Sequence, residues 1–218
     1  MIPWDQGLPG DFFEMKHLLQ KNLRSFCYTS LGGDKMLAAI HYQMDGKIRW
    51  QDQINQEISE KFLNKPIRGL DKRPLEEIID GTNIHGFLAQ RIQEVEETLA
   101  QLVEEIADKG QFEDLLVFME NKGRNENLEA KPQAVFAHMA NHYLDGMPCD
   151  RVVELVSQEE DAWTWILRED VHGQYWQDPT KYWALREAYL QGLAQGASCG
   201  VQIQGRKYEV KKCMQSND

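Results

Sequence analysis

At 218 residues, with 42% hydrophobic side chains, the chain is long enough to bury a core without crosslinks. Its 24 basic and 35 acidic residues leave a formal charge of −11, which disfavours a nucleic-acid backbone or an anionic membrane as a direct partner; the one short basic block is the C-terminal GRKYEVKK. No run approaches the ~18 apolar residues of a membrane span, the start MIPWDQGLPG carries neither part of a secretory signal, and Cys27, Cys149, Cys199 and Cys213 form no CxxC pair, so a soluble, cytoplasmic protein with reduced thiols is expected.

In chain order, Asp11 and Glu14 open a helix whose apolar positions are Phe12, Met15, Leu19, Leu23, Phe26 and Cys27, and Gly32 and Gly33 stop it. Asp34 caps a second helix through KMLAAIHYQM. The DG at 45 and 46 also permits a hairpin there, but a hairpin would mix polar and apolar residues on both faces. Ile54, Ile58 and Phe62 mark a third helix, and NKPIRGLDKRP reads as a loop. Leu88, Ile92, Val95, Leu99, Leu102 and Ile106 then form a heptad seam among glutamates 94, 96, 97, 104 and 105. That seam packs inside a bundle, or pairs two copies of the chain as a homodimer through Leu88–Ile106. After the short helix FEDLLVFMEN, residues 121–132 are the place for a soft subdomain boundary within one compact helical domain.

Further helices are expected at about 133–145, 150–157 and 159–171, and a long one capped by Asp178 with Pro179 at its first position. The tail changes period. A two-residue Gly205-Arg206 turn sets Val201 opposite Val210 and Ile203 opposite Tyr208, with Cys199 and Cys213 on different faces. The fold class is therefore mainly α, a bundle of about eight helices ending in a short β-hairpin.

Three constellations could carry chemistry. His138, His142 and Asp145 stand at i, i+4 and i+7, opposite the apolar stripe of Val135, Phe136, Met139, Ala140 and Tyr143. Two imidazoles one turn apart can hold a divalent Zn, Fe or Ni ion with an oxygen ligand beside them; without that ion they are a solvated or hydrogen-bonded polar face. A histidine at 41 or 85 before such a pair resembles the DinB/YfiT-like metal-binding bundles, which implies a third ligand from one of them. The pairs Glu57/Glu60 and Glu77/Asp80 resemble the ExxE and ExxD carboxylates of the MazG and dimeric dUTPase type. That likeness implies Mg²⁺ and nucleoside triphosphate hydrolysis, although Gly81 interrupts the second helix. Glu14/His17 and Glu169/His172 resemble the ExxH pairs of di-iron bundles.

The aromatic-rich stretch from 163 to 192 repeats a pattern, Trp165-Ile-Leu-Arg168-Glu and Trp183-Ala-Leu-Arg186-Glu. Two neighbouring helices of this kind could line a ligand pocket or a protein interface, with arginine fixing an anion and tryptophan stacking; as core, the same aromatics are simply large. The expected function is binding or assembly, with a protein or small molecule as partner, through this C-terminal half; the alternative is a metal-dependent enzyme.

Overall fold

In the computed structural model, the described residues are 37–146 and 150–213, which fall within one compact unit beginning at Leu37. The helix expected over 12–27, with Glu14 and His17, lies outside them, as does Cys149. The fold is mainly helical, with six α-helices among the described residues rather than about eight, and a C-terminal antiparallel sheet.

The first helix, α1, runs Ala39–Ile58, so the two helices expected on either side of residue 50 are one. Gly46 does not break it because that position faces outward and open, while Met44 and Ile48 on the inner side are buried. A π turn, Ser59–Leu63, follows, and Asn64 at φ 48° ends it. After a loop and the short α2, Leu75–Ile78, comes α3, Ile84–Asp108, where the Asn83 side chain accepts from the Gly86 amide. Five of the six seam residues of α3 are buried in the chain's own core, where Leu88 and Val95 meet Met44, Ile48, Leu70, Leu75, Ile79 and Leu144.

Helix α4, Phe112–Arg124, crosses α6, Pro179–Gly196, backbone against backbone. A Cβ on Gly192 would overlap the Glu120 carbonyl, and one on Gly123 would overlap the Tyr189 carbonyl. That close crossing fixes Tyr189 in the core. Between them, α5 covers Pro132–His142. The start of α6 is as expected: Asp178 accepts from the Thr180 amide and Pro179 is the first helical residue.

The region 150–171 corrects the sequence reading. Instead of two helices it forms β1, Val153–Glu159, and β2, Ala162–Leu167, joined by a two-residue turn. With β3, Cys199–Gln204, and β4, Lys207–Lys212, they make a four-stranded antiparallel sheet in the order β1-β2-β4-β3. Alternate residues Trp163, Trp165 and Leu167 are all buried, the period of a strand, and Trp165 sits opposite both Leu155 and Tyr208. The C-terminal pairing is as expected, Val201 with Val210 and Ile203 with Tyr208. Cys199 is buried, Cys213 exposed, and both are free thiols. No helix among the described residues is long and apolar enough to cross a membrane.

A candidate site where α1, α5 and α6 meet

Helix α5 ends at His142, because Tyr143 leaves the helical region at ψ 142°. The i+7 extrapolation to Asp145 fails there. Its carboxylate turns inward to 5% exposure, away from the histidine pair, and accepts two bonds of 2.8 Å from Arg186, one on each oxygen. His172 Nε2 donates to the same carboxylate at 3.1 Å, and His172 Nδ1 donates to Glu96 at 3.0 Å. Glu96, His172, Asp145 and Arg186 thus form a buried chain of alternating charge summing to zero. Tyr182 stacks on the His172 ring at 4.1 Å, and the Arg186 guanidinium lies over the Tyr143 ring at 4.4 Å.

An imidazole that donates from both nitrogens is an imidazolium. Burial alone would lower the His172 value, but the Glu96 and Asp145 carboxylates outweigh it and hold it up at about 9. For Asp145, burial works upward and is overcome by Arg186 and His172, so its carboxyl is held well below the usual range. These groups bond chiefly one another, while Glu96 Oε2 and Arg186 Nε are buried without a hydrogen-bond partner among the described residues.

The histidine pair of α5 behaves in the opposite way. The rings of His138 and His142 stack at 4.0 Å. Tyr189 donates to Glu126 at 3.2 Å, so its oxygen accepts from His138 Nε2–H at 2.8 Å. His142 Nδ1–H donates to the His138 carbonyl at 2.8 Å, which leaves the Nε2 lone pair of His142 without a hydrogen bond among the described residues. Burial, with His142 alongside, pushes His138 down to about 3, and burial also lowers His142. Both rings are neutral near pH 7, and His138 is inside the protein rather than on a solvated face.

Helix α1 supplies the other wall. Gln43, Lys47 and Trp50 share one stripe at i, i+4 and i+7. At one end Gln43 donates to Asn141 at 3.4 Å; at the other the Trp50 ring lies 5.1 Å from His142, 5.5 Å from Tyr143 and 5.6 Å from Tyr189. Lys47 is held between these two contacts, 7% exposed, with no hydrogen bond or ion pair among the described residues. Burial lowers its ammonium, the Asp145 charge raises it and Arg186 lowers it again. Its charge is also felt at His142, as is that of half-buried Glu126.

The remaining sequence candidates are dispersed. Glu57 receives a bond from Lys122 at 2.7 Å, while Glu60 and Glu77 are exposed and Asp80 caps a turn by accepting from Thr82. His41 and His85 pair with each other edge to face at 5.7 Å. Glu169 is exposed, and its expected partner His172 bonds Glu96 and Asp145 instead. Among the described residues no three His, Cys, Asp or Glu side chains are grouped to hold a metal.

The repeated Trp-Leu-Arg-Glu pattern does not lie on two helices, because Trp165 is in strand β2 and Trp183 in α6. Trp165, 1% exposed, stacks on Tyr208 and meets Phe136; Arg186, also 1% exposed, is taken by Asp145. Arg168 is at the surface, donating to Glu154, and half-buried Trp183 donates to Asp170 at 3.3 Å.

Sequence reasoning missed Glu96, His172's true partners, Lys47, Trp50 and Tyr189. One signal for Glu96 was available: Ile92, Glu96, Leu99 and Val103 form a helical row with a single charge among apolar neighbours. A nearby cavity lined by Trp50, Gln51, Tyr143, Tyr182 and Arg186 measures only ≈ 20 Å³, about one water position. A ligand larger than water at this place would have to be received at the partly exposed edge formed by Trp50 and His142; a separate cavity of ≈ 340 Å³ lies against Glu97, Gln101, Glu104 and Tyr175. Compared with protein-family models, curated proteins and solved structures, the chain matches none of them.

Proposed function

We propose that this chain is a binding protein for a small carboxylate, received at Lys47, Trp50 and His142 between α1 and the end of α5. The observation that carries the reading is Lys47, a residue only 7% exposed whose ammonium has no acceptor among the described residues and keeps contact with solvent alone. Stripping a charge of most of its water without an acceptor is unfavourable, and perturbed groups of this kind cluster at functional sites. A carboxylate would supply the missing acceptor. The Trp50 face would cover the ligand's carbon frame, and the free Nε2 of His142 would accept from a hydroxyl on it. This remains a binding function, but it moves recognition out of the aromatic-rich C-terminal half, away from Trp165 and Arg186, whose side chains are already used inside.

Lactate, a hydroxyl-bearing carboxylate, is the probe. Titrated into the full chain near neutral pH, it is expected to shift the His142 ring resonances and leave those of His172 in place. Lys47→Ala should weaken binding by about tenfold or more, the value of one charge-assisted hydrogen bond. An unmoved His142 ring, or equal affinity in Lys47→Ala, would overturn the reading.

A further inference from the structure

The same lysine supports a more specific chemistry, which rests on the ligand site just described. Two buried nucleophiles are set apart from the charge chain. Cys199 donates its thiol hydrogen to the Ala197 carbonyl at 3.3 Å, and burial raises its value, which keeps it an inert thiol. Lys47 has no such engagement: Gln43 and Trp50, a turn to either side of it on α1, contact Asn141 and His142, and the lysine's charge is felt at His142, whose Nε2 has no hydrogen bond among the described residues.

We propose that Lys47 captures a small carbonyl-bearing carboxylate, an aldehyde acid or keto acid, as a reversible imine. A lysine held away from water is the usual setting for Schiff-base chemistry, since the amine lone pair must be available to attack. Burial favours the neutral amine here, in keeping with that requirement.

The step balances without any redox partner. His142 Nε2 takes a proton from the Lys47 ammonium, and the amine nitrogen bonds to the carbonyl carbon while the C=O π pair moves to oxygen. That oxygen receives the proton back, giving a carbinolamine. The C–O bond then breaks, and the hydroxyl leaves as water with a second proton, which comes from nitrogen by way of His142. The iminium forms when the nitrogen keeps its remaining proton. One ammonium and one carbonyl become one iminium and one water, so the net charge is unchanged and begins and ends on the Lys47 nitrogen, where the Asp145 charge favours it.

Glyoxylate with cyanoborohydride tests this on the full chain near neutral pH, because the hydride donor reduces the iminium to a stable carboxymethyl-lysine. Peptide mapping should find Lys47 labelled about tenfold faster than exposed Lys72. Lys47→Arg should lose that label, because a guanidinium does not form the imine. Equal labelling of Lys47 and Lys72, or labelling of surface lysines alone, would overturn the proposal; this rate comparison is made within the unsubstituted protein and does not depend on a variant folding. Lactate binding without Lys47 labelling leaves the binding site standing and removes the imine, whereas loss of both removes the site itself.

Discussion

Asp145→Ala is expected to destabilise the fold by about 3–5 kcal/mol, the cost of removing one partner from a buried ion pair. The carboxylate accepts two bonds from Arg186 and one from His172, and all three side chains are at most 5% exposed. Its removal leaves a guanidinium and an imidazolium facing each other, with Glu96 as the only carboxylate in the chain of charges and Lys47 close by. Both cations are packed on aromatic rings, Arg186 over Tyr143 and Tyr208 and His172 on Tyr182, so full hydration requires those rings to move. Urea unfolding followed by circular dichroism would measure the loss. The exposed pair of Asp71 and Arg73, with three short side-chain bonds of its own, is the control. Asp71→Ala should hardly move the curve, because both partners regain full hydration. Equal effects at the two sites would remove the charge chain from the account.

The second large effect is a stability maximum near pH 6–7, with His172 responsible for the upper slope. His172 is held up at about 9 against an ordinary 6.5, so its contribution is fully present below 6.5 and is lost as the pH rises through 9. The full difference corresponds to about 3 kcal/mol. His138, pushed down to about 3, acts in the other direction: its contribution is present above 6.5 and is lost as the pH falls. Depressed Asp145 adds to the acid loss. Tyr143 and Tyr182, raised by burial, add a further loss above about 10, where the unfolded chain ionises first. In urea midpoints taken across this range, His172→Gln should be less stable at neutral pH and should lack the decline between 6.5 and 9. A variant whose profile runs parallel to that of the unsubstituted protein would contradict this.

Local rules made some parts of this fold legible. The Asp178-Pro179 start of α6 and the register of β3 with β4 depend on neighbouring residues only, and both appear as the sequence predicts. Strands β1 and β2 were misread because almost every residue from 162 to 167 is apolar, which hides the two-residue period, and because their turn, Glu160-Asp161, lacks the Asn-Gly chemistry that marks a hairpin. In the site, the HxxxH spacing was visible and places both rings on one helix face. Their partners were not, since Tyr189 lies 51 residues from His138 and Glu96 lies 76 from His172. The Asp145 assignment failed on a single boundary: a helix that stops at His142 sends the next carboxylate into the core. Lys47 gave no signal because a lysine is ordinarily read as surface, and only the packing of α1 against residues 141–143 buries it.

The protein holds two histidine systems in opposite protonation states, His172 charged and the α5 pair neutral. Nitrogen-detected NMR of the histidine side chains near neutral pH tests this most directly. His172 should carry a proton on both ring nitrogens, His138 on Nε2 alone and His142 on Nδ1 alone. A neutral His172, or a charged His138, would contradict the account.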